Sequence, residues 1–417
     1  MLKRLIHPAT PGGAAGAGYS AYMSIRDQAF ELLAANRRTT DGHMYTVPSP
    51  DAYPYQWLWD SCFHAIVLAK SEPEAAMAEL RALVSRQFPD GMIPHIIYWV
   101  PGNLHRYDWG TNGTSALTQP PMLAYAVWEI YKETHDDAFL AELYPALAKY
   151  YEYLIDKRDP HDHHLVGIIN PDESGEDNSP RFDAVLHVPA DISLHDHLAR
   201  RLELVDANRT CDFDAELCMK RHFWVKDVPF NAILVENLRI LEHIASLLGK
   251  EDGEHFCKLN IELVSAAMRE RLYKDGIYWS HVAITEYEPL TVATWAHFAP
   301  LFADLYTPGE ARALVEGQLF NEDTFWSPFG VRTVSKQEEA YRPDGYWRGS
   351  VWMAPHWFIY KGLMKYGFAE EARVLRDKSI ALIEHAGFRE YFNPETGEGY
   401  GAKDFTWGAL VADMMDA

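Results

Sequence analysis

The sequence predicts an all-α fold closed into a ring of six helical hairpins, an (α/α)6 barrel with a few short strands in its loops. Three observations carry that expectation. Apolar residues recur at helical spacing through twelve segments, and these fall into pairs split by Gly, Pro or Asp. Strand-like patterning is confined to short pieces such as 276–279 and 329–334. No stretch repeats itself at a fixed period, as an open stack of repeats would, so a ring whose ends meet is favoured.

Taken in order, residues 1–20 read as a flexible leader, rich in Pro, Gly and Ala over 8–18, ahead of one domain spanning 21–417. Helical spacing begins near Tyr22 and runs to about Asn36 through Ile25, Phe30, Leu32 and Leu33. A Pro-rich loop, 45–56, leads into Trp57-Leu58-Trp59-Asp60 and a helix of about 60–70. Pro73, preorganised for a first helical turn, opens a helix of about 74–87. The loop 88–116 is long and carries Tyr98, Trp99, Tyr107 and Trp109, a length that compact domains reserve for function. Helices of about 120–134 and 137–156 break at His135-Asp136-Asp137. An irregular region, 158–228, precedes helices of about 230–249 and 252–272, split by Gly249 and Gly253. The next pair is 291–303 and 308–319, split by Thr307-Pro308, and the next 350–366 and 368–386, split by Gly367. A last helix of about 404–416 lacks a following partner and the first lacks a preceding one, so the two make the sixth hairpin.

The net charge of −22 argues against nucleic acid and anionic membrane surfaces as partners. No apolar run is long enough to span a bilayer, and no apolar stretch follows Lys3 and Arg4 as a signal peptide requires; a soluble cytoplasmic chain is expected. Cys62, Cys211, Cys218 and Cys257 show no CxxC spacing, which predicts reduced thiols. Phosphate-loop, nucleophile-elbow and dinucleotide motifs are missing from the sequence, so no cofactor is expected. His161-Asp162-His163-His164 and His195-Asp196-His197 lack the i, i+4 spacing of zinc-binding helices and read as solvated loops, so no metal is expected. Oligomeric state is left open.

Chemistry-bearing residues gather where the chain approaches one helix of each pair. If the first helix of each hairpin is the inner one, these approaches share one end of the ring: 57–60, 118–121, 158–228, 286–288, 346–349 and 390–394. Each has a bland reading alone, with Trp57 and Trp59 as core aromatics, Asp60 as an N-cap, Gln119 as a turn residue and Arg348 as half of a surface pair. Residues 173–183, four carboxylates in eleven positions, read alone as a solvated acidic loop. Six such segments at one end point instead to a bowl of aromatic platforms and bidentate polar groups, the equipment for a small-molecule carbohydrate.

Gln56-Trp57-Leu58-Trp59-Asp60-Ser61, Asp90-Gly91-Met92-Ile93-Pro94-His95, Thr118-Gln119-Pro120-Pro121, the run from Glu173 to Arg181, Tyr346-Trp347-Arg348-Gly349-Ser350-Val351-Trp352, and Glu390-Tyr391 followed by Asn393-Pro394 and Thr396-Gly397-Glu398 occur in this order. In these motifs the chain resembles glycoside hydrolase family 63 from about Tyr55 to its C-terminus, above all the compact mannosylglycerate and glucosylglycerate hydrolases, and more distantly the trehalases. The resemblance implies an (α/α)6 barrel and an inverting α-glycosidase acting on a small α-glucoside or α-mannoside, glucosylglycerate or mannosylglycerate first. It places Asp177 at the general acid and Glu390 at the general base, with Asp60, Gln119, Trp347 and Arg348 around the sugar ring. Trp57, Trp59, His95, Tyr346 and Trp352 complete the expected substrate-binding set, and Glu395 and Glu398 are rival bases. Asp172 and Glu176 depart from the family's usual Trp and apolar residue, and Ser350 from its usual Pro.

Two expectations concern charge. Glu173 and Glu176 should raise the pKa of Asp177 by like-charge repulsion. His95, Arg106 and Lys336 are the candidates to meet an acidic leaving group. A sugar epimerase on the same ring would need paired histidines, for which only His95 and His297 qualify, and a non-catalytic sugar-binding protein would need no titratable pair.

Overall fold

The computed structural model describes residues 23–100, 113–284 and 287–415. The leader, Arg106, Tyr107, Trp109 and Glu286 lie outside them. The described chain is mostly helical. In order, α1 is Ile25–Asn36, α2 Leu58–Leu68, α3 Pro73–Val84, α4 Leu123–Thr134 and α5 Asp137–Lys157. Then come α6 Asp183–Leu186, α7 Leu194–Thr210, α8 Ala215–Arg221, α9 Val228–Leu247 and α10 Glu251–Ala267. The last are α11 Ala299–Phe302, α12 Pro308–Leu314, α13 Met353–Lys365, α14 Ala369–Ala386 and α15 Leu410–Met414.

Local chemistry sets these boundaries. Ser24 and Asp27 form a capping box on α1, and Thr307 and Glu310 do the same on α12, each satisfying N–H groups that a helix start leaves open. His135 ends α4 in the left-handed region (φ 52°), and Asp136 then caps α5 by accepting from Phe139 N. Asp227 caps α9 in the same way, with Pro229 in its first turn.

Burial sorts the helices into two layers. Every residue of α2 is buried, as is the first half of α9 and most of α13. α2 packs beside α4, α4 beside α9, α9 beside α11, α11 beside α13, α13 beside α15, and α15 back against α2. Outside them, α3 backs α2, α5 backs α4, α10 backs α9, α14 backs α13 and α1 backs α15. The outer helices bury one stripe and turn charged residues outward, the pattern of a helix with a single partner layer. Strands are short and antiparallel, in pairs apart from one four-stranded sheet; one pair joins Arg389–Phe392 to Gly399–Lys403 with a register irregularity between Arg389 and Tyr391.

Several expectations are corrected. The region 158–228 holds α6, α7 and α8. Periodicity failed there because the buried face of α7 carries His197, Arg201 and Asn208 beside Leu204 and Val205. His195-Asp196-His197 therefore lies on a helix, with His195 exposed and His197 fully buried. The helix expected at 291–303 is a 3-10 turn, Trp295–His297, followed by the single turn of α11. Cys211 and Cys218 form a disulfide, against the expectation of four reduced thiols, because the turn joining α7 to α8 brings their Cα atoms to 5.6 Å; Cys62 and Cys257 are free and buried. Among the described residues no helix is long and apolar enough to cross a membrane.

The close approach of α13 to α11 depends on Gly362. A Cβ there would lie 2.6 Å from Leu301 Cβ and 2.9 Å from Leu301 C, against backbone that cannot swing away. Gly362→Ala gains about 1 kcal/mol of helix propensity but costs about 1–3 kcal/mol in overpacking, so thermal unfolding of the variant should show a lower Tm. An unchanged or higher Tm would mean the two helices can separate freely.

Candidate active site

A cavity of about 610 Å³ opens at the end of the helices where the chain approaches α2, α4, α13 and α15. Its lining includes Trp57, Trp59, Asp60, His95, Gln119, Asp177, Tyr346, Trp347, Trp352 and Glu390, ten of the eleven residues expected from the sequence. Arg348 is the exception. It is 4% exposed, and both its Nη atoms donate to the Asp183 carboxylate, at 2.9 and 2.6 Å. It ties the 346–352 segment to α6 and stands outside the lining.

One side of the cavity is built on α2. Asp60, in its first turn, accepts from Trp407 Nε1 at 2.6 Å, and burial pushes its carboxyl up to about 6. Gln119 Oε1 accepts the backbone N–H of Trp59 at 3.3 Å, which fixes the amide beside Asp60. Trp57 meets His95 edge to face, with ring centres 5.5 Å apart. His95 Nδ1 lies 2.6 Å from Ser115 Oγ, and burial pulls the imidazole down to about 4, so it is a neutral polar group near pH 7 and supplies no positive charge. Also in the lining, Trp347 stacks on Trp352 at 4.0 Å and 7° between planes, and Tyr391 stacks on Trp352. Tyr346 sits at φ 32°, a conformation rare for a bulky side chain and stored where surrounding packing over-determines it.

Asp177 hangs from a tight loop. Asn170 caps the 3-10 turn Pro171–Ser174, and Gly175 closes it at φ 72°. A Cβ on Gly175 would lie 2.2 Å from Trp59 Cζ2, so this turn lies flat on the indole only with glycine. The acids flanking Asp177 do not solvate the loop; they are sealed inside it. Glu173, 0% exposed, accepts from both Nη atoms of Arg158 at 2.7 and 2.8 Å and from the backbone N–H groups of Thr118 and Ile169. Glu176 takes both Nη atoms of Arg181, whose Nε reaches Asp227. The expectation that these two glutamates raise Asp177 is therefore corrected. Its carboxyl is pushed up to about 6 first by burial, against the pull of Arg201, with Asp172 and Glu390 as the acids that add to the rise.

Glu390 occupies the irregular step of the C-terminal hairpin, where a displaced register re-aims a side chain. Its Oε1 accepts from Tyr53 Oη at 2.6 Å and its Oε2 from Ala402 N at 2.8 Å. A Cβ on Gly401 would lie 2.2 Å from Oε2, so bare backbone is required beside it. Burial raises the Glu390 carboxyl, while the bonds from Tyr53 and Ala402 oppose that rise. Glu395 is committed to Arg332 and Tyr341, and Glu398 to Tyr400; neither lines the cavity. His297 faces Gln318 elsewhere, so the two histidines an epimerase would pair are apart.

Tyr53, Arg201, Trp407 and the leucines of α7 were missed by the sequence reading. Among the described residues Arg201 is the cation of the lining, reaching Asp177 Oδ2 at 2.7 Å and Asp172. Its signal was the spacing Leu194, Leu198, Leu202 on a helix that also carries Arg201 to the cavity. Lys336 is exposed and outside the lining. Asp159, Asp162 and His164 bring ligand atoms within 4.8 Å of one another away from the cavity, though Asp159 is already paired with Lys226 at 2.6 Å.

Residues 53–408 match the mannosylglycerate hydrolase MGH1-like glycoside hydrolase domain. The chain is 34% identical to the mannosylglycerate hydrolase of Thermus thermophilus, over 92% of this chain and 99% of that one. It is 27% identical to the glucosylglycerate hydrolase of Mycolicibacterium hassiacum, over 91% and 95%. The crystal structure of a family 63 mannosylglycerate hydrolase from Thermus thermophilus, in complex with Tris and D-glycerate, superposes with a TM-score of 0.86 at 33% identity, covering 94% of this chain and all of that one.

Glu173 generates a prediction about the loop. Removing one partner of a fully buried pair strands the other charge, at a cost of about 3–5 kcal/mol. Glu173→Ala should lower the stability measured by denaturant unfolding by that amount, whereas Glu370→Ala in the exposed Arg373 pair should leave it nearly unmoved. Equal effects from the two would remove Glu173 as an anchor.

Proposed function

The chain belongs to the mannosylglycerate hydrolase MGH1-like glycoside hydrolase family, and on that premise we propose that it is an inverting α-glycosidase releasing α-linked glucose or mannose from a small acidic aglycone of the glycerate class. One observation carries the reading. Asp177 and Glu390 line the same cavity on different segments and are partnered in different ways. Burial holds Asp177 near 6, so a large fraction keeps its proton in mildly acidic solution. Glu390 accepts two hydrogen bonds, each of which favours its ionised form.

The roles follow. As the glycosidic C–O bond lengthens, Asp177 gives its proton to the departing oxygen. Glu390 takes a proton from water, and the hydroxyl so generated attacks the anomeric carbon from the opposite face. The product is the inverted sugar, and one proton exchanged with solvent through Glu390 and Asp177 restores the starting state. Such a scheme needs the two carboxyl groups about 6.5–9.5 Å apart, leaving room for one water. Asp60 and Gln119 hold the ring hydroxyls, with the indoles of Trp57, Trp59, Trp347 and Trp352 as walls. Arg201 meets the aglycone: each Nη carries two hydrogens, so the guanidinium can serve its internal carboxylates and an incoming one. The cycle of inner contacts from α2 through α15 and back supports a six-hairpin (α/α)6 toroid, with the cavity at the mouth of its axis.

Proton NMR of mannosylglycerate or glucosylglycerate incubated with the protein should show the β-sugar first. Trapping of a covalent sugar adduct, or first release of the α-anomer, would convert the mechanism to retaining. Asp177→Asn should lower kcat by about 10²–10⁴ on these substrates, and Glu390→Ala should abolish turnover. The wild-type pH profile should fall on the alkaline side as Asp177 loses its proton through about 6, and on the acid side as Glu390 gains one. Faster turnover of a neutral α-glucosyl-glucose than of either glycerate conjugate would leave a plain α-glucosidase.

A further inference from the structure

Asp172 is a buried carboxylate at the cavity for which the scheme above has no use. It is 7% exposed, lines the cavity, and sits on the rigid turn that leads into Asp177. Its backbone N–H is held by Asn170 Oδ1 at 3.1 Å, and Asn170 in turn bonds Asn208 of α7. Asp172 Oδ1 accepts from Arg201 Nη1, while the other Nη of the same guanidinium lies 2.7 Å from Asp177 Oδ2. Asp172 Oδ2 is buried with no hydrogen-bond partner among the described residues. Arg201 is thus shared by two carboxylates, one of which is the proton donor.

The groups around Asp177 leave Arg201 as the decisive one. Asp172 faces it from its own loop, Arg201 from α7, Glu390 from the C-terminal hairpin, and Tyr53 and Tyr346 from two further segments. His95, the other titratable group near Asp172, is neutral above about 4. Unopposed, a guanidinium at hydrogen-bond distance would hold Asp177 ionised and useless as an acid.

We propose that Asp172 is a positioning residue for proton delivery, which takes Arg201 as its own counter-ion so that the guanidinium does not hold Asp177 in its ionised form. The inference rests on Asp177 being the acid. Before the reaction Arg201 is balanced by Asp172 and the proton stays on Asp177. As the O–H bond of Asp177 breaks toward the leaving oxygen, the carboxylate left behind meets the second Nη of Arg201. The proton passes to the leaving oxygen as its glycosidic C–O bond breaks, and no covalent bond of Arg201 or Asp172 changes.

The test compares kcat/KM from pH 4 to 9 for wild type, Asp172→Asn and Asp172→Glu. Two probes are used: whichever of mannosylglycerate and glucosylglycerate the wild type hydrolyses, and the matching α-glycosyl fluoride, whose leaving group needs no proton. Asp172→Asn should move the alkaline limb for the glycerate conjugate down by about one pH unit, hence about tenfold lower kcat/KM on that limb. Its loss on the fluoride should be at least about fivefold smaller, since only the conjugate draws on the proton. Asp172→Glu, which keeps the charge, should hold the limb closer to the wild-type position. An unmoved limb in Asp172→Asn, or equal losses on both probes, would overturn the proposal. Asp177→Asn separates the two readings: if it is inactive on the conjugate while the Asp172→Asn limb stays put, only this inference falls. If it hydrolyses the conjugate like wild type, the assignment of the acid falls first.

Discussion

The geometry of the site depends on one ion pair that never touches substrate. Arg158 and Glu173 are sealed from water, and two charges taken out of solvent are tolerated only when each is fully met. Arg158 gives both Nη atoms to Glu173 and its Nε to Tyr153 Oη. Glu173 uses its remaining lone pairs on the N–H groups of Thr118 and Ile169. A single carboxylate therefore joins the C-terminal end of α5, the approach to Gln119, the strand at 167–168 and the turn bearing Asp177. A hydrophobic plug of similar volume could fill that space with equal stability, but it would not specify which backbone groups meet there. With the turn pinned, Gly175 lies against Trp59, and Asp177 has little freedom left.

Burial then does the electrostatic work, and the partners sort the outcome. Asp60, Asp177 and Asp183 are all pushed up to about 6, in each case first by loss of water. Asp60 is met by a neutral indole N–H, Asp183 by the fork of Arg348, and Asp177 by one arm of a guanidinium that is also engaged elsewhere. The net charge of −22 does nothing to draw an anion across solution. Recognition of an acidic aglycone must be short-ranged, and Arg201 lies within the cavity, where screening is weak.

Much of the site is legible in the sequence because its residues cluster where helices begin. Trp57 to Asp60, Gln119 and the 346–352 segment all approach inner helices, so spacing and residue type agree. What stayed hidden was hidden for physical reasons. The face that α7 buries is polar, so a helix carrying the cavity's described cation resembled a loop. Glu173 and Glu176 looked like solvated acids because their arginines, Arg158 and Arg181, cannot be paired with them from spacing alone. Arg348 shows the reverse error: a motif residue at a sugar-binding position whose fork is already filled by Asp183. Cys211 and Cys218 meet only because α7 and α8 turn sharply between them.

Arg348 and α7 are in fact parts of one device. The fork of Arg348 fixes Asp183 on α6, and its Nη1 also reaches Ala190 O in the segment that leads into α7. From the far side Asn170 bonds Asn208 on the same helix, beside the turn that bears Asp172 and leads into Asp177. A peripheral helix is thereby clamped at both ends, by the wall that carries Trp347 and by the loop that carries Asp177. Arg201, midway along it, is placed by those two clamps. An arginine that never lines the cavity consequently positions one that does, and Trp347, Asp177 and Arg201 hold their spacing as a unit.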